Sequence, residues 1–539
     1  YGLVNWSAIP VELNEIQQIE IVRGPNTALF GFNATSGVVN IVTKNPLYDD
    51  VDLVEADLGI NQYGRISGVY TFQNEDKWGL RLSAGGAEMD EDYNAYNPTE
   101  SNVFVNDAHT RNFNADNVIK LNDSTSMRFE ASVSDTNGNG MSAYYDGAEI
   151  TERFVGLKAG VSSDTDYGII DATIYRNSAD ADFSVATGVF GFENDVTVLQ
   201  LSDTFKVGTD HTFRIAGEYR DNVSALKLNG TTLAESSYHI GSVSGLWSWA
   251  ATPKLSLSTA VRYDHAQADL DGSAAVGNGP IPGNPFTNDQ FNNRYDEFGY
   301  NFGALYKLTD IDTLRFNVSK GVDMPSIFEM SFQVNSGGLT FFSDPTLEAS
   351  DVHDFQLGYE RKMDYFNGSF KATAFYQRID EMQGFISSSA TSAIVKNVGD
   401  SEVYGVEVAL DGVTDNNIRW GVNYSYSQVE DDIFTTLDFE KLNSDHMIKG
   451  NIGYSPNEQW DFDAFAAYES DFDSARDLNG SNVNYGVDPD VILDTRIAYK
   501  PTDKWTLSLN GQALFGENEQ SAYAEETETQ LFLRAKYDF

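Results

Sequence analysis

The chain has 539 residues, more than one ordinary globular core needs, and no Pro/Ser-rich linker or shift of composition divides it. Its 35 basic and 81 acidic side chains give a net charge of −46, which excludes a nucleic-acid surface, and the absence of cysteine excludes a disulfide scaffold or thiolate metal site. No run approaches the roughly 18 apolar residues of a membrane helix, whereas a membrane β-barrel, apolar only at alternate positions, stays open, and 13% aromatic residues suffice for two interfacial girdles.

The first distinctive stretch, 12-46, reads neither as an alternating strand nor as a solvated loop. Ile16, Ile19, Ile21 and Val22 run into Arg23-Gly24-Pro25, and Val38-Val39-Asn40-Ile41-Val42 follows Gly31 and Gly37. Two short buried strands joined by a glycine-rich turn fit this pattern. Pro25 fixes φ and removes a donor while Gly24 relaxes the backbone, so the pair suits a sharp reversal. Glu20 and Arg23 stand out, because enclosed charges need partners.

This stretch resembles the carboxyl end of the plug domain of TonB-dependent outer-membrane receptors. Ile19-Glu20-Ile21-Val22-Arg23-Gly24-Pro25, Gly31 and Gly37-Val38-Val39-Asn40-Ile41-Val42-Thr43-Lys44 match that family's pattern and spacing. The resemblance implies a plug signature of Glu20, Arg23, Gly24, Pro25, Gly31, Gly37 and Asn40, with Glu20 and Arg23 tying plug to barrel. It further implies that 1-48 is the closing part of a plug and 49-539 a barrel, the signal peptide, the TonB-contacting segment and most of the plug lying outside this sequence.

From about residue 51 the pattern has period two. In the final segment Leu531, Leu533, Ala535, Tyr537 and Phe539 alternate with Phe532, Arg534, Lys536 and Asp538, one face for lipid and one for a lumen. About 22 such segments follow one another from 51-61 to 529-539, among them 124-135, 167-177, 192-206, 210-222, 236-250, 366-380 and 401-411. Every second connection is tight, as at Asn122-Asp123, Ala251-Thr252, Asp364-Tyr365 and Pro501-Thr502. Those between mostly run longer: 90-109, 136-151, 178-191, 266-293, 321-351, 381-400, 470-490 and 516-528, with only Asn61-Gln62 short. Soluble propellers or sandwiches would not segregate loop length in this way. The expected fold is therefore all-β and transmembrane, a 22-stranded antiparallel outer-membrane β-barrel with an amino-terminal plug segment in its lumen.

Further boxes resemble the same family. Met324-Pro325-Ser326-Ile327-Phe328-Glu329 and Asp344-Pro345-Thr346-Leu347 precede Phe355-Gln356-Leu357-Gly358-Tyr359, and Asn397-Val398-Gly399 precedes Gly405-Val406-Glu407. Glu348-Ala349-Ser350 departs from the usual Pro-Glu, which puts the geometry of that loop in doubt. The terminal Phe539 resembles the signal read by the barrel-assembly machinery.

No zinc-protease, nucleophile-elbow or phosphate-loop motif is present, and the six scattered histidines read as solvated or lumen-lining. The expectation is a protein that is not an enzyme. Connections 90-109, 321-351 and 516-528 carry acid and no Lys or Arg, so the mouth should be a negative funnel. That favours a neutral or cationic ligand, or one bridged by Ca²⁺ at clustered carboxylates; no other cofactor or metal is expected. Tyr93, Tyr96, Tyr144, Tyr145, Phe286, Phe291, Phe328, Phe341 and Phe342 are the candidates to stack on a ligand from the outer loops.

The resemblance implies energised uptake of a scarce nutrient, with a ferric siderophore first and cobalamin, haem or an oligosaccharide as alternatives. Its implied partners are the TonB/ExbB/ExbD energising complex, outer-membrane lipid and lipopolysaccharide, the assembly machinery and a small-molecule or chelate ligand. An ungated porin or adhesin, or a rim enzyme, is the rival of a different class.

Overall fold

The computed structural model describes residues 5–74, 77–90, 107–141, 147–185, 188–272, 288–331, 334–336, 339–389, 392–433, 438–477, 482–515, 519–520, 525–526 and 529–539. Among these, 22 strands form the wall of one closed barrel. Each wall strand pairs antiparallel with the next, and the ring closes where Leu53–Gly59 meets Gln530–Asp538, with Leu53 opposite Asp538. Each of the 22 expected segments becomes one wall strand. No helix among the described residues is long and apolar enough to cross a membrane.

The two faces invert the usual order of a water-soluble protein. Leu58, Ile66, Leu157, Ile174, Ile215, Val243 and Leu533 point outward and are exposed, whereas Glu55, Asp57, Arg81, Asp116, Arg262 and Asp264 point inward and are buried. Exposed apolar side chains on every strand cost little only where hydrocarbon surrounds them. A lower aromatic girdle includes Trp247 stacked on Trp249 at 5.7 Å and Tyr537 edge-on to Phe539 at 5.2 Å. Towards the other rim the outward positions turn charged. Arg176 pairs with Asp195 at 2.9 Å, His239 with Asp221 at 2.8 Å and His265 with Asp296 at 2.7 Å. These two histidines therefore face away from the lumen, and His211 accepts a hydrogen bond from Trp247 Nε1 in the lower girdle.

The outer connections differ from expectation. Stretches 178–191 and 381–400 are mostly strand, because Gly168–Val185, Gly188–Val207, Gly368–Ser389 and Ser392–Val413 run 18 to 22 residues. Beyond the hydrocarbon the outward positions need not be apolar, so the backbone ladder continues while the alternation fades. The tight upper turn at Asn61-Gln62 has both φ angles positive, 54° and 50°, the left-handed pair of a two-residue hairpin turn whose twist matches the strands.

The amino-terminal segment runs inside this cylinder. Its polar groups meet inward side chains on strands at distant points of the ring: Ser134 at the Ala8 carbonyl, Arg65 at Glu12, Asn301 at the Pro25 carbonyl and Glu407 at Arg23. Only a segment within the ring reaches all of them.

Candidate functional site

The segment's core is a hairpin of β1 (Ile16–Arg23) and β2 (Gly37–Thr43), antiparallel from Ile16 opposite Thr43 to Arg23 opposite Gly37. The expectation of buried strands is corrected here: Ile19, Ile21, Val22 and Val39 are exposed. A two-stranded ribbon has no second layer of its own to cover its faces, and the lumen is wider than the ribbon.

The link between β1 and β2 is where the segment seats on the wall. Gly24 has φ +77°, and a Cβ there would lie 2.9 Å from Gln356 Nε2 and 3.2 Å from Asp354 Oδ2. Gly31 has φ +97° and leaves room for the Arg262 guanidinium 3.4 Å from where its Cβ would stand. Glycine thus meets two demands at once, a left-handed backbone and close approach to the barrel. Between them lies α1 (Thr27–Phe30). Asn301 Nδ2 donates to the Pro25 carbonyl at 2.9 Å, the Val322 amide to Thr27 Oγ1 at 3.1 Å and the Met324 amide to Asn33 Oδ1 at 2.9 Å. Phe32 then enters an apolar cluster with Leu226, Tyr238, Ile240, Tyr295, Met324, Ile327 and Met330, and Arg220 lies over its ring at 5.4 Å.

That cluster brings together the boxes scattered along the sequence. Ser326 and Glu329 form a reciprocal cap, the Glu329 amide donating to Ser326 Oγ at 3.1 Å and the Ser326 amide to Glu329 Oε2 at 2.8 Å. The Tyr238 hydroxyl donates to the Pro325 carbonyl at 2.5 Å. At the departure from the family pattern, Asn397 takes over the positioning: its Oδ1 accepts from the Glu348 amide at 2.9 Å and its Nδ2 donates to the Glu348 carbonyl at 3.1 Å.

A charged network anchors the segment's start. Glu12 is 3% exposed and Glu15 0%. Glu12 pairs closely with Arg65 and accepts from Asn112 Nδ2 at 2.9 Å. Arg81 reaches Glu15 at 3.0 Å, Asp116 at 3.0 Å and the Lys44 carbonyl, so one guanidinium binds both ends of the hairpin to the wall. Arg128 adds to Asp116 at 2.7 Å, and Arg65 to Glu55 at 2.6 Å. Buried charges of this kind persist only when paired and hydrogen-bonded. Sequence reading overlooked Glu12, Glu15, Arg65 and Arg81. The signal was a lone cation at an inward position between outward apolar neighbours, as in Leu80-Arg81-Leu82.

Of the expected signature, Arg23 pairs with Glu407 on the wall. The described hydrogen bonds of Glu20 stay within the segment, from Gln18 Nε2 at 2.5 Å and Asn40 Nδ2 at 2.8 Å. Among the expected stacking aromatics, Tyr93, Tyr96, Tyr144, Tyr145 and Phe286 lie outside the described residues, as do the side chains of Phe328 and Phe341. Phe291 and Phe342 are buried, 1% and 9% exposed, so their faces are covered. Phe539 is exposed on the lower girdle, its amide donating to the Asp52 carbonyl at 3.0 Å. No group of three or more His, Asp or Glu among the described residues is arranged for a metal ion; most of the acid of 90-109 lies outside them.

Gly24→Ala should loosen the seat by about 1–3 kcal/mol, from the left-handed φ and the crowded Gln356. Proteolysis of the folded barrel checks this, faster cleavage between β1 and β2 being the expected result.

Comparisons with known proteins agree on one architecture. The family model "TonB dependent receptor-like, beta-barrel" matches residues 22–514. The vitamin B12 transporter BtuB of Photobacterium profundum is 22% identical over 524 residues, 95% of this chain and 77% of that protein. The rhizobactin receptor of Rhizobium meliloti is 24% identical over 286 residues, 49% of this chain and 35% of that protein. Among solved structures, the siderophore receptor PirA of Acinetobacter baumannii superposes with a TM-score of 0.76 at 13% identity, covering 98% of this chain and 86% of that one. The ferric yersiniabactin uptake receptor FyuA of Yersinia pestis gives 0.73 at 16%, with 98% and 86% covered.

Proposed function

The chain belongs to the TonB-dependent receptor family of bacterial outer-membrane β-barrels, and we propose that it imports a scarce, bulky metal complex, a ferric siderophore first, by displacement of the segment within its lumen. Members of this family are receptors and transporters, not enzymes, and act with the TonB energising complex on a small-molecule ligand. On this reading residues 1-48 close a plug domain, 49-539 are the barrel, and ExbB and ExbD drive TonB.

The observation that carries the proposal is the seating of residues 12–46 on inward side chains around the ring through buried charges. A barrel of 22 strands is wide enough to leak unless something occupies it. An occupant held at a few points by ion pairs, hydrogen bonds and the Phe32 side chain, with its hairpin faces uncovered, is built to move. Iron chelates are supported by structural neighbours named for siderophore uptake, the ferric yersiniabactin uptake receptor among them, beside the rhizobactin receptor among the relatives. Cobalamin is the second reading, favoured by the B12 transporter that matches over 95% of this chain. Both cargoes are metal complexes too large for ordinary pores. The acid of the outer connections favours a neutral or cationic complex, or Ca²⁺ bridging of an anionic one, and uptake repeated with a calcium chelator reads that part.

The test is uptake of a radio-iron-loaded siderophore and of radiolabelled cyanocobalamin by cells carrying this protein as sole receptor, with and without TonB. Iron accumulation that requires TonB supports the first reading, and cobalamin accumulation that requires it supports the second. Equal uptake without TonB would establish an ungated pore and end the proposal.

A further inference from the structure

Beneath the Gly24-Pro25 reversal, three neighbouring side chains of the wall each bury an oxygen that has no hydrogen-bond partner among the described residues: Asn301 Oδ1, Ser319 Oγ and Asp354 Oδ2. Asn301 stands directly opposite Ser319, and Ser319 directly opposite Asp354. The three therefore share one row across the strands Asn293–Lys307, Asp312–Asp323 and Ser350–Met363. Ser319 and Asp354 are 1% and 2% exposed. The segment covers both ends of the row. The Pro25 carbonyl accepts from Asn301 Nδ2 at 2.9 Å, and a Cβ on Gly24 would lie 3.2 Å from Asp354 Oδ2.

Buried polar atoms are almost always paired, so three left over on one patch call for a common partner, and their chemistry says of what kind. The Asn301 amide is oriented by its bond to Pro25, which leaves the acceptor end of the group over. Amide and carboxylate oxygens only accept, and the Ser319 hydroxyl brings the single hydrogen among the three. Pro25 contributes a carbonyl and no N–H. The Gln356 amide reaches the Asp354 carboxyl but is neutral, and no Lys, Arg or His among the described residues pairs with it. A negative charge is thus enclosed without a cation, at a cost that only a counter-charge removes.

Oxygen donors alone select a hard cation. One carboxylate among them supplies a single negative charge, which a monovalent ion cancels, whereas calcium takes about six to eight oxygens and gains affinity with the number of carboxylates. A way in is present. A cavity of about 310 Å³, lined by Asn33, Thr35, Asp323, Glu329, Val352 and Gln377 among others, adjoins the row. Val352 is the next position on the same face of the Asp354 strand, and Gln377 stands opposite Asp354. Its two carboxylates draw cations inward.

We propose that Asp354, Ser319 and Asn301 bind a monovalent metal cation, sodium, between the wall and the reversal of the amino-terminal segment. The ligands come from three wall strands, and the segment is the cover. Seating the segment excludes water and strengthens the hold on the ion; by linkage, the bound ion holds the segment down. The site is separate from the acidic outer connections and from the network around Arg81. It concerns how the segment is held and not which cargo passes.

Hydrogen exchange of the full chain in detergent, with sodium chloride replaced stepwise by N-methylglucamine chloride at constant ionic strength, tests this on the wild type. The Gly24 and Asn26 amides donate to the Ser36 and Ala34 carbonyls at 3.1 and 2.8 Å. Their protection should rise saturably with sodium, about tenfold at a concentration roughly ten times the dissociation constant, while the wall strands stay unchanged. Asp354→Asn, which keeps the shape and removes the charge, should lose the response, and Ser319→Ala should shift it to higher sodium. Protection indifferent to sodium in the wild type, or a response that survives in Asp354→Asn, would overturn the site. Calcium acting at far lower concentration than sodium would overturn the monovalent assignment. None of these readouts involves transport, so failure here is separable from failure of the transport reading.

Discussion

Arg81→Ala is expected to free the amino-terminal segment while leaving the barrel closed. The side chain is 2% exposed and donates to Glu15 at 3.0 Å, to Asp116 at 3.0 Å and to the Lys44 carbonyl. Its removal strands Glu15, which is 0% exposed and keeps only the Glu12 amide at 2.9 Å, Ser83 Oγ at 3.0 Å and a longer contact from Asn114 Nδ2 at 3.4 Å, none of them a cation. Breaking a buried pair by deleting one partner costs about 3–5 kcal/mol, because an uncompensated charge stays behind. Asp116 suffers less, since Arg128 remains at 2.7 Å. Hydrogen exchange should therefore accelerate across 12–46 and stay slow in the wall strands. Adding Glu15→Ala should recover part of the loss, since the two residues share one interaction. Slow exchange of the segment in the single variant would remove this network from the list of anchors.

Thr27→Cys combined with Gly299→Cys is expected to abolish uptake under oxidising conditions and restore it on reduction. A Cβ at position 299 would lie 3.4 Å from the Thr27 Cβ, close to the usual disulfide separation of about 3.8 Å. The chain has no other cysteine, so no competing bridge can form. Position 27 belongs to the short helix of the segment and 299 to the wall strand Asn293–Lys307. A bridge between them ties the moving part to the fixed one. If the segment must shift for cargo to pass, oxidised protein transports nothing; uptake at the full rate with the bridge formed would mean that cargo takes a route past an immobile segment.

The barrel was legible because its solvent environment writes itself into the residues. Leu507 and Leu509 must face hydrocarbon while Ser508 and Asn510 face inward, and the alternation fixes strand existence wherever hydrocarbon demands it. It fails above the membrane. There Asp221-Asn222-Val223-Ser224-Ala225-Leu226 continues a strand with no constraint on outward polarity. A usable signal was nonetheless present, since Leu228-Asn229-Gly230-Thr231 carries the Asn-Gly pair of a tight hairpin and takes φ of +47° and +77° there.

The site was legible in part. Gly24 and Pro25 read as a sharp reversal on backbone grounds and Gly31 as part of a glycine-rich turn; the close approach of Gly24 to Gln356 and of Gly31 to Arg262 adds the reason that no side chain fits there. The partners could not be found the same way. Glu15 and Arg81 are 66 residues apart, and such pairs meet only when the ring closes. The apolar runs of β1 and β2 imply a core, whereas a ribbon inside a wide lumen exposes them.

The placement of the segment inside the wall is tested most directly by the covalent product itself. Oxidised outer membranes carrying Thr27→Cys with Gly299→Cys, digested and analysed by mass, should yield one peptide pair joined between positions 27 and 299. Two free thiols, both alkylated before digestion in folded barrels, would show that the segment does not lie against that strand.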